Sequence, residues 1–135
     1  MFAPDVLVTG AHGHLGFALM CALPDYGYSP VGIDILGSTD KEHTVITGSI
    51  SDSNFCASIF KTYPTIRYVL HTATLHKPHV ASHSKNDFID TNIRGTLNLL
   101  EASHSGPACI QAFIFTSTTS TFGKALAPKP GQPTA

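Results

Sequence analysis

The chain has 135 residues, the size of one ordinary domain with a single hydrophobic core. Its 42% hydrophobic and 13% charged residues exclude a disordered segment, and a formal charge of -1 offers no basic stripe for nucleic acid and no polybasic patch for a membrane. Cys21, Cys56 and Cys109 are too far apart for a disulfide framework or a metal knuckle and read as reduced core residues. With no basic, apolar leader at Met1–Asp5 and no apolar run of about 18 residues, a cytoplasmic setting is expected.

Taken in chain order, Val6-Leu7-Val8-Thr9 is a short apolar run that predicts a strand buried on both faces of a parallel sheet. From His14 to Ala22, Leu15, Ala18, Leu19 and Ala22 fall at helical spacing, and Pro24 is expected to stop the run. Pro30–Asp34 and Thr44–Thr47 read as the second and third strands, with 37–40 as the loop between them. Asp52 and Ser53 stand at an N-cap before a helix with Phe55, Ile59 and Phe60 on one side, ending near Pro64. Tyr68–His71 is the fourth strand. From about Lys85 to Ala102, the residues Phe88, Asn92, Gly95, Leu99 and Ala102 recur at three- and four-residue steps, one face of a long helix. Ala112–Phe115 is the fifth strand. Alternating strands and helices predict an α/β fold with a parallel sheet covered on both sides, and the proline-rich stretch 124–135 reads as an irregular tail.

Where the first strand hands over to the first helix, Thr9-Gly10-Ala11-His12-Gly13-His14-Leu15-Gly16 gives T-G-x-x-G-x-x-G. A pyrophosphate can sit on such a helix start, because free backbone N–H groups and the positive end of the helix dipole both point at it. Glycines let the backbone come that close, whereas a glycine triplet in an arbitrary loop is no more than a flexible turn. Asp34 ends the second strand, where a carboxylate can accept from the adenosine ribose hydroxyls and repel a 2′-phosphate. No arginine in the turn or after the second strand attracts that phosphate, so NAD is favoured over NADP. The competing reading of Asp34 is a cap for the loop that follows.

Four blocks together resemble the NAD-dependent epimerase/dehydratase family of the extended short-chain dehydrogenase/reductase superfamily. They are Val8–Gly16, Val31–Asp34, Asp90–Ala102 with N-x-x-G-T-x-N-L-L-E-A, and Phe113–Gly123. The resemblance implies a Rossmann-type doubly wound sheet of strand order 3-2-1-4-5, over residues 1–123, stopping before later strands. It further implies that Gly10, His12, Gly13, His14, Leu15 and Gly16 hold the pyrophosphate, Asp34 the ribose, and Ser49 with Ile50 the adenine. Thr72, Ala73 and Thr74 then line the ribose and nicotinamide beside Asn92 and Thr116. Asn92 supports the active site, and Thr118 takes the catalytic Ser/Thr position.

Two departures stand out. The family usually has an acidic residue where Ser49 stands, so the adenine contact is weaker here. The Tyr-x-x-x-Lys motif is expected roughly two dozen residues beyond the Ser/Thr. Only 17 residues follow Thr118, and no tyrosine follows Tyr68. The chain is thus expected to be about the first half of an enzyme that transfers hydride on a sugar or nucleotide sugar, without turnover by itself. A non-catalytic NAD-binding or protein-interaction module and a flavodoxin-like nucleotide or phosphate binder remain alternatives. The expected partners are a dinucleotide, a sugar or nucleotide sugar, and a second copy through the 85–102 helix.

Other features carry rival readings. His71, His76, His79 and His83 form either a metal site or a polar loop on the substrate side, with Pro78 against a regular helix there. Residues 116–121 are a hydroxyl-rich strand exit or a phosphorylatable tract, and no G-x-S-x-G marks a hydrolase nucleophile. Without a further strand, Phe113-Ile114-Phe115 is expected to be an unpaired sheet edge, and the face of Phe88, Leu99 and Ala102 to be partly exposed.

Overall fold

All four residues of Val6–Thr9 are buried, as an uninterrupted apolar run requires at the centre of a parallel sheet, and they form β1 in the computed structural model, which describes residues 3–37 and 42–117. The other strands are β2 (Pro30–Asp34), β3 (Val45–Thr47), β4 (Tyr68–His71) and β5 (Ala112–Phe115). Every pairing is parallel, and the order is β3-β2-β1-β4-β5. The chain therefore winds outward in one direction from β1 to β3, then crosses back to β4. In this register Thr9 lies level with Ile33 and His71, and His71 with Phe115. The carboxyl ends of the central strands thus meet at the point where the strand order reverses, where open α/β sheets bind their ligands.

Alternation along β1 sends its side chains into two cores. Leu7 joins Val31, Ile33, Val69, Ile59, Phe60 and Leu99 on one face, while Val6 and Val8 pack with Ala11 and Met20 on the other. The second face is covered by α1 (His14–Ala22), and the first by α2 (Ser53–Thr62) and α4 (Thr96–Ser105). Asp52 caps α2 as its position predicts, accepting from Asn54 N–H at 2.9 Å and Phe55 N–H at 3.2 Å.

Several details differ from the sequence reading. The first α-helix ends at Ala22 as expected, but Pro24 then sits in the first turn of a 3₁₀ helix, Leu23–Tyr26, which Gly27 at φ +81 ends. The third strand begins at Val45 rather than Thr44. The long helix is continuous from Lys85 to Ser105, but α3 (Lys85–Phe88) and α4 flank a π-helical segment, Ile89–Gly95. Hydroxyls take up carbonyls of the widened turn, with Ser51 Oγ donating to Asp90 O at 3.0 Å and Thr96 Oγ1 to Asn92 O at 2.8 Å.

The inner face of this helical stretch is as expected, with Gly95, Leu99 and Ala102 buried. Exposure falls on the opposite side, where Ile89, Ile93, Leu97 and Leu100 are 46%, 65%, 52% and 43% accessible. The expected exposure of Leu99 and Ala102 is corrected accordingly, because α2 and the sheet cover them. Of the three free cysteines only Cys56 is a core residue; Cys21 and Cys109 are exposed. Among the described residues β5 pairs with β4 alone, leaving Ile114 and Phe115 half-exposed. The tail 124–135 lies outside the described residues.

Candidate functional site

Three glycines build the exit of β1, each for a different reason. Gly10 has φ +67, and a Cβ there would stand 2.9 Å from the Ala73 backbone. A Cβ on Gly16 would collide with the Gly10 carbonyl oxygen, so the first turn of α1 rests directly on the strand exit. Gly13 is the N-cap of α1 and provides no side-chain cap; within 4 Å a Cβ would meet only Gly10 O, at 3.1 Å, so its outer side is open. The turn is tied down from behind by Gly10 N–H and Ala11 N–H, both donating to Ile33 O at 2.9 and 3.2 Å. His14 and Leu15, in the first turn of α1, are exposed.

Asp34 bridges the two strand exits. One carboxylate oxygen accepts from His12 N–H and the other from Leu36 N–H, each at 2.9 Å. The loop cap is thus present, and each oxygen keeps a further lone pair for a ligand hydroxyl. Beside them, the imidazole Nδ1 of His12 is buried without a hydrogen-bond partner.

The opposite wall is the loop after β4. Thr72 N–H and Ala73 N–H donate to Thr9 Oγ1 at 3.1 and 3.0 Å, while Thr72 Oγ1 donates to Thr9 O at 2.6 Å. Asn92 clamps the next residues: its Oδ1 accepts from Leu75 N–H at 2.8 Å and from Thr74 Oγ1 at 3.2 Å, and its Nδ2 donates to Leu75 O at 2.7 Å. The asparagine amide is spent on holding the loop. Thr116 N–H donates to His71 O at 3.1 Å, which brings the end of β5 alongside.

Ser49 is half-buried and its Oγ accepts from Ser51 N–H at 3.2 Å. Ile50 is 5% exposed, with its side chain in the core against Gly95. Its carbonyl accepts from Asn98 Nδ2 at 2.9 Å, so any cofactor contact at Ile50 falls to the remaining backbone N–H. Thr118 lies outside the described residues.

A residue whose role the sequence reading missed stands at the centre of the site. His71 is 2% exposed, with Nδ1 2.7 Å from Thr9 Oγ1 and Nε2 2.9 Å from Thr96 Oγ1. Burial pushes its pKa from 6.5 down to about 4. The signal was available, since a histidine closes an otherwise apolar central strand. The other histidines do not join it. His76 caps, His79 lies within and His83 follows a 3₁₀ turn, Lys77–Ala81, their rings edge to face at 4.7 and 5.5 Å, and His79 Nδ1 accepts from His76 N–H at 3.0 Å. Among the described residues no group of three or more His, Cys, Asp or Glu is placed to hold a metal ion.

A parallel sheet that reverses order beside β1, a helix opening on a glycine turn and a carboxylate at the end of β2 define a Rossmann-type nucleotide-binding unit. More specifically, the chain belongs to the NAD dependent epimerase/dehydratase family, whose model matches residues 6–135. It is 31% identical over 123 residues to the UDP-glucose 4-epimerase of Rhizobium meliloti (strain 1021), a match covering 88% of this chain and 37% of that protein. With the dTDP-D-glucose 4,6-dehydratase of Homo sapiens it shares 30% identity over 138 residues, 93% of this chain and 39% of the relative. Among solved structures it superposes with TM-score 0.75 and 26% identity on the UDP-glucose-4-epimerase of Stenotrophomonas maltophila with bound NAD and formylated UDP-arabinopyranose, covering 89% of this chain and 38% of that one. The chain therefore spans well under half the length of these relatives. No helix among the described residues is long and apolar enough to cross a membrane.

Proposed function

We propose that this chain binds NAD across the carboxyl ends of β1, β2 and β4, as the cofactor-binding part of an enzyme that epimerises or dehydrates a sugar or nucleotide sugar. One observation carries the reading. α1 opens on Gly13 without a side-chain cap, so its first N–H groups and the positive end of its dipole are offered to a ligand. The fit is supported by His12, whose buried Nδ1 lacks a partner that a polar ligand on the turn supplies. Asp34 accepts from the ribose hydroxyls and repels a 2′-phosphate, and no arginine lies between Gly10 and Gly37 to offset that repulsion.

In this arrangement Thr72, Ala73 and Thr74 line the ribose and nicotinamide, Asn92 holds their loop, Thr116 borders it, and Ser49 takes the adenine amino group. Bound NAD supplies hydride transfer. Thr118 hydrogen-bonds the substrate oxygen, but the tyrosine and lysine that move the proton in this family have no counterpart in the 135 residues. The chain alone binds without turning over. The stripe Ile89, Ile93, Leu97 and Leu100 supports a homodimer through this helix, near-neutral charge supports the absence of a nucleic-acid partner, and three free cysteines support a reducing, cytoplasmic compartment.

Titration calorimetry of the 135-residue chain with NAD and with NADP tests the reading. Saturable NAD binding that exceeds NADP by about tenfold or more is expected from one carboxylate–phosphate repulsion. Equal affinity for the two removes Asp34 from the ribose site, and no binding of either removes the cofactor assignment.

A further inference from the structure

At the ends of β1 and β4 the direction of a hydrogen-bond chain follows from valence. Thr9 Oγ1 accepts from two backbone N–H groups, those of Thr72 and Ala73, which occupies both of its lone pairs. Its own O–H is left for His71 Nδ1 at 2.7 Å, making Nδ1 an acceptor. A neutral imidazole with Nδ1 accepting carries its hydrogen on Nε2, which then donates to Thr96 Oγ1 at 2.9 Å. Thr96 passes its own O–H to the Asn92 carbonyl at 2.8 Å. The chain runs one way, Thr9 to His71 to Thr96 to Asn92. A charged imidazolium would turn a second N–H against a threonine oxygen whose lone pairs are already taken.

Both ends of this chain land on the candidate site. Thr9 pins the first half of the loop, at Thr72 and Ala73, and Asn92 pins the second half, at Leu75. The groups facing the ring from the elements packed on it are Thr9 of β1, Thr96 of α4, and Phe113 and Phe115 of β5, none of them ionisable.

We propose that His71 is a positioning residue, neutral and protonated on Nε2, which couples the Thr9 pin to the Asn92 pin so that loop 72–75 keeps one geometry against the glycine turn. The consequence for cofactor affinity rests on the NAD reading above; the coupling itself does not. With its pKa at about 4, His71 keeps this tautomer through neutral and mildly acidic conditions.

The test uses the full 135-residue chain labelled with ¹⁵N. Long-range ¹H–¹⁵N correlation should give a neutral, Nε2-protonated His71 at pH 7 that persists to about pH 5, because burial holds its pKa at about 4. Thr96→Val removes the acceptor of the Nε2–H. It should cost about tenfold in amide-exchange protection at Thr72, Ala73 and Leu75, with Leu7 and Val31 unchanged, and about three- to tenfold in NAD affinity, the worth of one hydrogen bond. Thr96→Ser, which restores a hydroxyl, should recover both. An Nδ1-protonated tautomer, or an imidazolium at pH 6, overturns the proposal, as does uniform or absent loss of protection in Thr96→Val. If that variant fails to fold, the wild-type tautomer and the Thr96→Ser spectrum still decide. Absence of NAD binding by the wild type defeats the functional reading, while the tautomer and exchange measurements continue to judge the coupling.

Discussion

Asp34 holds two backbone donors and, on the proposed reading, also sets the cofactor preference; losing it should register in both stability and affinity. Its oxygens hold His12 N–H and Leu36 N–H, so Asp34→Ala leaves two backbone donors without partners as well as removing the negative charge. The expected outcome by calorimetry and thermal melting is a loss of about tenfold or more in NAD affinity, little loss for NADP, and a destabilisation of about 1–3 kcal/mol. His71 gives a second prediction at this scale. Its folded-state pKa of about 4 lies below the unfolded value of 6.5, so between those values the unfolded chain binds more protons than the folded one. Stability from this group is full above pH 6.5 and declines as the pH falls toward 4. The decline is on the order of 3 kcal/mol. Urea melts at pH 7 and pH 4.5 should register most of it, and His71→Gln should flatten the profile. The glycine turn and Asp34 were legible in the sequence because their conformations and charge are local properties. The partnership of Thr9, His71 and Thr96 was not, since it joins residues 62 and 25 positions apart that meet only when β1, β4 and α4 are in place.

Along the helical stretch 85–105, sequence periodicity identified the inner face through Asn92, Gly95, Leu99 and Ala102. A second apolar series, Ile89, Ile93, Leu97 and Leu100, runs at the same spacing on the other side, and a helix apolar on both sides calls for cover on both. The two faces should respond in opposite ways. Leu99→Ala opens a cavity in the core and should cost about 2–5 kcal/mol in denaturant melts. Leu97→Glu should leave stability within about 0.5 kcal/mol while converting a dimer to a monomer in sedimentation. A monomeric wild type would remove the homodimer from the proposal. Periodicity could not locate the π-helical segment, because a widened turn keeps the apolar spacing on either side. What marks it is a tertiary bond from Ser51 and a local one from Thr96 to its carbonyls. The boundaries of most other elements were legible because strong punctuators stand at them: Asp52 before α2, glycine after β1.

For the molecule as a whole, the sheet order places its fully buried strand at the centre and leaves an apolar strand at one margin. Among the described residues β5 is that margin, with Ile114 and Phe115 half-exposed and one row of backbone groups beyond β4. Apolar edges of this kind recruit other strands. The 135-residue chain should therefore associate beyond the helix-mediated dimer as its concentration rises in sedimentation, and Ile114→Lys, which places a charge on the edge, should suppress that further association without lowering the melting temperature. Concentration-independent sedimentation of the wild type would mean that the edge is already covered. Parallel pairing was readable from the alternation of elements, since strands joined by right-handed helical crossovers run parallel, whereas the strand order came from the family resemblance.

The contact between Gly16 and the Gly10 carbonyl has a consequence for how this fold could be redirected to another cofactor. The first turn of α1 is seated on the exit of β1 with no room for a methyl group at Gly16, so the turn that the NAD reading makes the phosphate floor cannot take a larger residue there. Selectivity has to be rewritten at the rim instead. There, Asp34 is followed by Ile35 and Leu36, both more than half exposed. On the NAD reading, a change of cofactor preference is therefore to be sought first at Asp34, Ile35 and Leu36, with the glycine turn left as it is.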